Sequence, residues 1–214
     1  LEEKHIYDTY CNLIMKEADN GMNQVLVNRP VLEEYIRRQY PGFKLISSTT
    51  KRITGLDGLL EELNKDYFLV VLDYDLNHNE EVLSAIGKQA DKVEILVNEI
   101  CYPGCPKRSE HYRQQSQMQL EYDIDAAFPC PNKTRERKFE ECKERPSFIS
   151  REQIREYADR GFVNFKIVGR GMPMDFVKES YLYYLVKDDS RAFIRNKMES
   201  TLNQFAQAMR KRKA

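Results

Sequence analysis

The chain has 214 residues, enough for one large domain or two small ones. Hydrophobic residues make up 41% and charged residues 32%, proportions that exclude both a disordered polar chain and a lipid-embedded one. The 34 basic residues cancel the 34 acidic ones, so global charge gives no reason to expect nucleic acid, and only a local basic face could favour it.

No apolar run approaches the roughly 20 residues of a membrane span, and no basic start leads into a short apolar core as in a signal peptide. Five cysteines, two of them separated by a single turn, do not suit a short, cysteine-dense secreted scaffold. A cytoplasmic protein with metal-held thiolates fits better. The first residue is Leu rather than Met, which leads us to expect a missing N-terminal piece.

In chain order, positions 2–19 carry Ile6, Tyr10, Leu13 and Ile14 at helical spacing, with Asp19-Asn20-Gly21 as a helix stop. Cys11 inside this helix reads as a small buried hydrophobe. Alternating units follow. Gln24-Val25-Leu26-Val27-Asn28 predicts a strand, and Pro30 opens a helix to Tyr40. Phe43 to Ser47 predicts a second strand, 59–64 a helix, Tyr67 to Leu72 a third strand, and 80–90 another helix. The run Val93-Glu94-Ile95-Leu96-Val97 is the fourth strand; its unbroken apolar character suits burial on both faces of a parallel sheet.

From Lys107 to Pro146 the rhythm breaks into a polar stretch with turn chemistry at Phe128-Pro129-Cys130-Pro131. A connection this long is functional or disordered, and two cysteines within it favour function. Ser150 with Gln153 then forms a capping box for a helix to Arg160. Val163 to Val168 predicts a fifth strand, Pro173 precedes a helix to about Leu185, and a long helix spans about 189–211. In that last helix Ile194, Met198, Leu202, Phe205 and Met209 form one stripe. Strands alternating with helices imply right-handed βαβ crossovers and an α/β fold with parallel strands. Five strands are too few for a closed eight-stranded barrel, so the expectation is a TIM-barrel-like (βα) repeat, incomplete or N-terminally truncated. We read residues 1–214 as a single domain, with a cysteine-containing insert at about 101–147.

Polar residues collect where such strands end. The Pro103-Gly104 turn folds the loop so that Cys101 and Cys105 can reach one ion, and Cys130 and Cys142 complete a set of four thiols. Spacing does not choose between tetrahedral zinc and an iron–sulfur cluster. Asn98 and Glu99 read either as pocket residues or as loop-capping groups. His111 reads as a ligand or proton shuttle, or as a surface residue of a helix. Arg108 and Arg170 could hold an anion or make surface ion pairs. Lys166, if it faces a barrel interior, requires a carboxylate partner. Asp73 and Asp75 form a D-x-D pair, a weak hard-cation signal.

The strand Ile95-Leu96-Val97-Asn98-Glu99 running into Cys101 and Cys105, together with Phe165-Lys166-Ile167-Val168-Gly169-Arg170, resembles the peptidase U32 family. The resemblance runs from about Gln24 to Tyr184. It implies a TIM-barrel-like core. It also implies a 4Fe–4S cluster on Cys101, Cys105, Cys130 and Cys142, and oxygen-independent hydroxylation of RNA bases or a quinone ring. On that basis the expected function is a cytoplasmic iron–sulfur hydroxylase or its accessory, with Asn98, Glu99, Arg108, His111, Lys166 and Arg170 lining the pocket. Its expected partners are RNA or a small aromatic substrate, and a partner protein. Two other readings stand beside it: a zinc-stabilised binding protein without catalysis, and a peptidase. The peptidase lacks a visible Ser/Cys–His arrangement or H-E-x-x-H helix.

Overall fold

The computed structural model describes residues 9–121, 128–130, 137–169 and 171–213. Five short strands, β1 (Gln24–Val27), β2 (Lys44–Ser47), β3 (Leu69–Val71), β4 (Val93–Leu96) and β5 (Asn164–Lys166), lie in one parallel sheet in their chain order. Between them run α2 (Pro30–Gln39), α3 (Leu56–Leu63), α4 (Glu80–Ile86) and α7 (Arg151–Asp159). The opening helix is α1 (Thr9–Ala18); α5 (Arg108–Glu121) and α6 (Phe139–Lys143) lie in the insert, and α8 (Met174–Leu185) and α9 (Arg191–Lys213) end the chain. Among the described residues β1 and β5 are free edges, and no pairing closes the sheet.

Parallel neighbours in consecutive order require each connection to cross over, and the helices supply those crossovers. The two faces of the sheet differ accordingly. One face contributes Val27, Leu45, Val70, Leu72, Val93, Ile95 and Val97 to the main core, packed against Ile36 of α2, Leu59 and Leu63 of α3, and Leu83 and Ile86 of α4. On the opposite face Ile46, Leu69, Val71 and Leu96 form a separate small cluster with Val168. The middle strand reads Leu69-Val70-Val71 because it is buried on both sides.

The local stop and start signals are well formed. Pro30 opens α2, whose last turn carries Arg37 and Arg38, the sign its dipole favours. The capping box on α7 forms in both directions: the Ser150 hydroxyl accepts from Gln153 N at 3.2 Å, and Gln153 Oε1 accepts from Ser150 N at 2.8 Å. Two expectations require correction. Cys11 is exposed rather than buried, as are Tyr10, Leu13 and Ile14, because α1 turns an apolar face away from the core. In α9 the stripe is covered only toward its start, and Leu202, Phe205 and Met209 are exposed.

Candidate functional site

β4 carries the chain to the sheet's C-terminal rim, where Asn98 is fully buried. Its amide clamps three elements together. Nδ2 donates to Val168 O at 3.0 Å and to Ser180 Oγ on α8 at 3.1 Å, while Oδ1 accepts from Val168 N at 2.6 Å. Asn98 thus positions the end of β4 against β5 and α8. Glu99 follows, and its Oε1 accepts from Ile100 N at 2.9 Å and Cys101 N at 3.0 Å, which bends the chain into the cysteine loop. Burial pushes the Glu99 carboxyl up, against the downward pull of those two N–H groups, Arg108 and Arg137.

Two of the cysteines, Cys101 and Cys142, contact Glu99, and Cys105 lies beside Cys101. Cys101 is half-buried, and burial raises its pKa. Tyr74 and Arg108 pull it down, while the nearby Glu99 and Cys105 push it further up. Gly104 sits at φ 67°, the left-handed conformation that lets the loop turn back between the pair. Cys142, on α6, is fully buried, and its Sγ donates to Glu99 O at 3.6 Å. Burial first, and Glu99 second, push that thiol up to about 12. Cys130 is half-buried two residues from Phe128, whose ring stacks on His111 at 4.5 Å. Burial and Arg137 both lower the His111 pKa. Among the described residues no three His, Cys, Asp or Glu side chains stand in ligand geometry for one metal ion.

Cations surround the thiols. Arg108 is 1% exposed; its Nη2 donates to Asp75 Oδ1 at 2.9 Å and to Tyr102 O, and its guanidinium lies 3.9 Å over the Tyr74 ring. Arg145, one helical turn beyond Cys142, donates from Nε to Ile100 O at 2.9 Å and stacks on Tyr102 at 3.9 Å. The two aspartates of the D-x-D pair are committed to arginines: Asp73 pairs with Arg52 and, at 3.5 Å, with Arg108, while Asp75 bonds Arg52 at 2.9 Å. They complete a buried charge network, which leaves the hard-cation reading without free ligands. Arg108 is likewise not a surface ion pair but is buried against Asp73 and Asp75.

The remaining sequence candidates divide. Lys166 faces away from the main core and takes the required carboxylate: its Nζ lies 2.8 Å from Glu94 Oε2. Arg170 lies outside the described residues. Sequence reasoning passed over Tyr74, Tyr112 and Arg145. The Tyr74 hydroxyl is buried beside Tyr112 and Cys101 without a well-formed hydrogen bond to either. The sole sequence trace of Arg145 is its helical-turn spacing from Cys142.

No family model matches the chain, and no solved structure does. A protein of Methanocaldococcus jannaschii named an uncharacterized protease is 27% identical to it over 184 residues, covering 83% of this chain and 54% of that protein. The chain therefore spans about half the length of this curated relative. The distant likeness is to a protein described as a protease.

Proposed function

We propose that the end of β4 holds an iron–sulfur centre on Cys101, Cys105, Cys130 and Cys142, in a sheet that forms part of a U32-like barrel. The protein would work in the cytoplasm as an oxygen-independent hydroxylase, or as an accessory to one, acting on RNA or a small aromatic substrate. The observation that carries this reading is that Glu99 links two of the thiol residues, its carboxylate accepting from Cys101 N and its main-chain oxygen from Cys142 Sγ, with Cys105 beside Cys101 and with Arg108, Arg137 and Arg145 nearby. Buried thiols give up their protons only where cations or a metal compensate the charge, and this rim supplies the cations. The left-handed backbone at Gly104 turns the chain back between Cys101 and Cys105, and Asn98 ties the strand end to β5 and α8. The cluster, when bound, would supply one-electron chemistry.

The relative's name supports a second reading, a peptidase. Against it, both described histidines are committed elsewhere. His78 contacts Phe148 O at 2.9 Å and Tyr157 Oη at 3.1 Å, and His111 stacks on Phe128. Purification without oxygen separates the readings. Brown protein with iron and acid-labile sulfide supports the centre; colourless protein with stoichiometric zinc favours a structural staple. Casein cleavage lost in Cys101→Ser, with no bound metal, would establish the peptidase instead.

A further inference from the structure

Away from the thiols, a cavity of about 580 Å³ opens between the ends of β1 and β2 and the flank of α5. That volume falls within the range of roughly 300–1,000 Å³ typical of small-molecule sites. From α5 it is lined by Gln115 and by Ser109, Tyr112, Arg113 and Ser116, the last four at helical positions i, i+3, i+4 and i+7. From the strand ends come Asn28, Arg29, Thr50, Lys51 and Arg52. No acidic side chain lines it.

The four cations differ in how they are spent. Lys51 is neutralised from behind by Glu62 at 2.6 Å and Glu33 at 3.6 Å, and Arg52 by Asp73 and Asp75. Arg52 takes up φ 61° to reach them, and among the described residues no other non-glycine has a positive φ. Arg29 and Arg113 are exposed and have no acidic partner among the described residues, so the cavity mouth carries two uncompensated positive charges. Leu32 and the Tyr112 ring give the wall an apolar portion beside them.

We propose that this cavity binds a phosphomonoester, its dianion matched by Arg29 and Arg113 and its organic part lying against Tyr112 and Leu32. Two planar guanidinium groups suit phosphate oxygens, and a monocarboxylate or an internal phosphodiester brings half the charge. The Asn28 and Thr50 side chains, already hydrogen-bonded to each other, present polar groups at the strand end. Tyr112 also adjoins Tyr74, which adjoins Cys101, so a bound ligand sits two side chains from the thiols. Any role for that proximity rests on the iron–sulfur reading; the binding itself does not.

The test is calorimetric titration of the full protein with phenyl phosphate at low salt, before and after metal removal. Saturable binding is expected in both forms, weakened tenfold or more in Arg29→Ala/Arg113→Ala. It should be unchanged in Lys44→Ala/Lys88→Ala, which removes the same charge from the opposite end of the sheet. Equal losses in the two double variants would reduce the effect to general electrostatics and overturn the proposal, as would no binding at millimolar ligand or benzoate binding as tightly. Short RNA oligomers with a 5′-phosphate or a 5′-hydroxyl identify the source. Preference for the 5′-phosphate assigns a chain end, binding of phenyl phosphate alone assigns a free small molecule, and equal binding of both oligomers overturns the monoester assignment. Because metal-free protein is titrated too, loss of the iron–sulfur reading leaves this result standing.

Discussion

Replacing Arg108 by Ala removes a buried cation from the centre of a charge network. The side chain is 1% exposed and balances Asp73, itself 1% exposed, and Asp75, 13% exposed. Truncation leaves Arg52 alone against two carboxylates, strips Tyr102 O of its donor, and uncovers the Tyr74 ring. Removing one partner of a buried ion pair costs about 3–5 kcal/mol, because the charge left behind stays desolvated. Against a total stability of about 5–15 kcal/mol this is a large share. Urea unfolding followed by far-UV circular dichroism should show the midpoint falling sharply with the m-value unchanged. Arg108→Lys keeps the charge but cannot span Asp75 and Tyr102 O together, so its loss should be smaller, about 1–2 kcal/mol. Asp75→Asn should recover part of the loss in the Ala variant by removing a stranded charge. An Arg108→Ala protein within about 0.5 kcal/mol of the parent would refute the network as described.

Three further outcomes follow from the same geometry. Burial pushes the Glu62 carboxyl up, but hydrogen bonds from Lys51, Lys65 and Ser47 outweigh it and hold the pKa at about 2, below its ordinary 4.5. This stabilisation, on the order of 3 kcal/mol, is present above about pH 4.5 and lost as pH falls toward 2. Glu62→Gln should therefore flatten the acid limb of a stability-against-pH curve, and an unchanged limb would contradict the assignment. Asn98→Ala leaves Val168 N and O without their buried partner and should cost about 2–4 kcal/mol by urea melt, with faster amide exchange at Val168. Lys166→Ala breaks an ion pair whose lysine is 39% exposed, so its cost should stay below about 1 kcal/mol and shrink with added salt.

The sequence made the alternation legible because its signals are local: β-branched runs mark strands, and Pro30, Ser150 and Gln153 mark helix starts. Where chemistry depends on partners distant in the chain, it went unread. Arg108 read as an anion holder or a surface ion pair, and nothing near it in sequence shows that Asp73 and Asp75 will meet it inside. Asn98 read equally as a pocket residue or a hydrogen-bonding cap, and its actual partners, from β5 and α8 some 70 to 82 positions away, leave no trace near it in sequence. α5 escaped the periodicity test because a polar stripe, not an apolar one, faces its cavity. α1 misled in the opposite sense: it is held to the body through Met15 and Asn12, which leaves the face carrying Tyr10, Cys11, Leu13 and Ile14 exposed.

The central claim is that Cys101, Cys105, Cys130 and Cys142 serve one common centre. Iron and sulfide per chain, measured anaerobically across single serine variants of all five cysteines, test it most directly. The account predicts loss or collapse of the complement in each of those four variants, and full retention in Cys11→Ser, whose residue lies on the exposed opening helix. A full complement in Cys142→Ser or Cys130→Ser would contradict it.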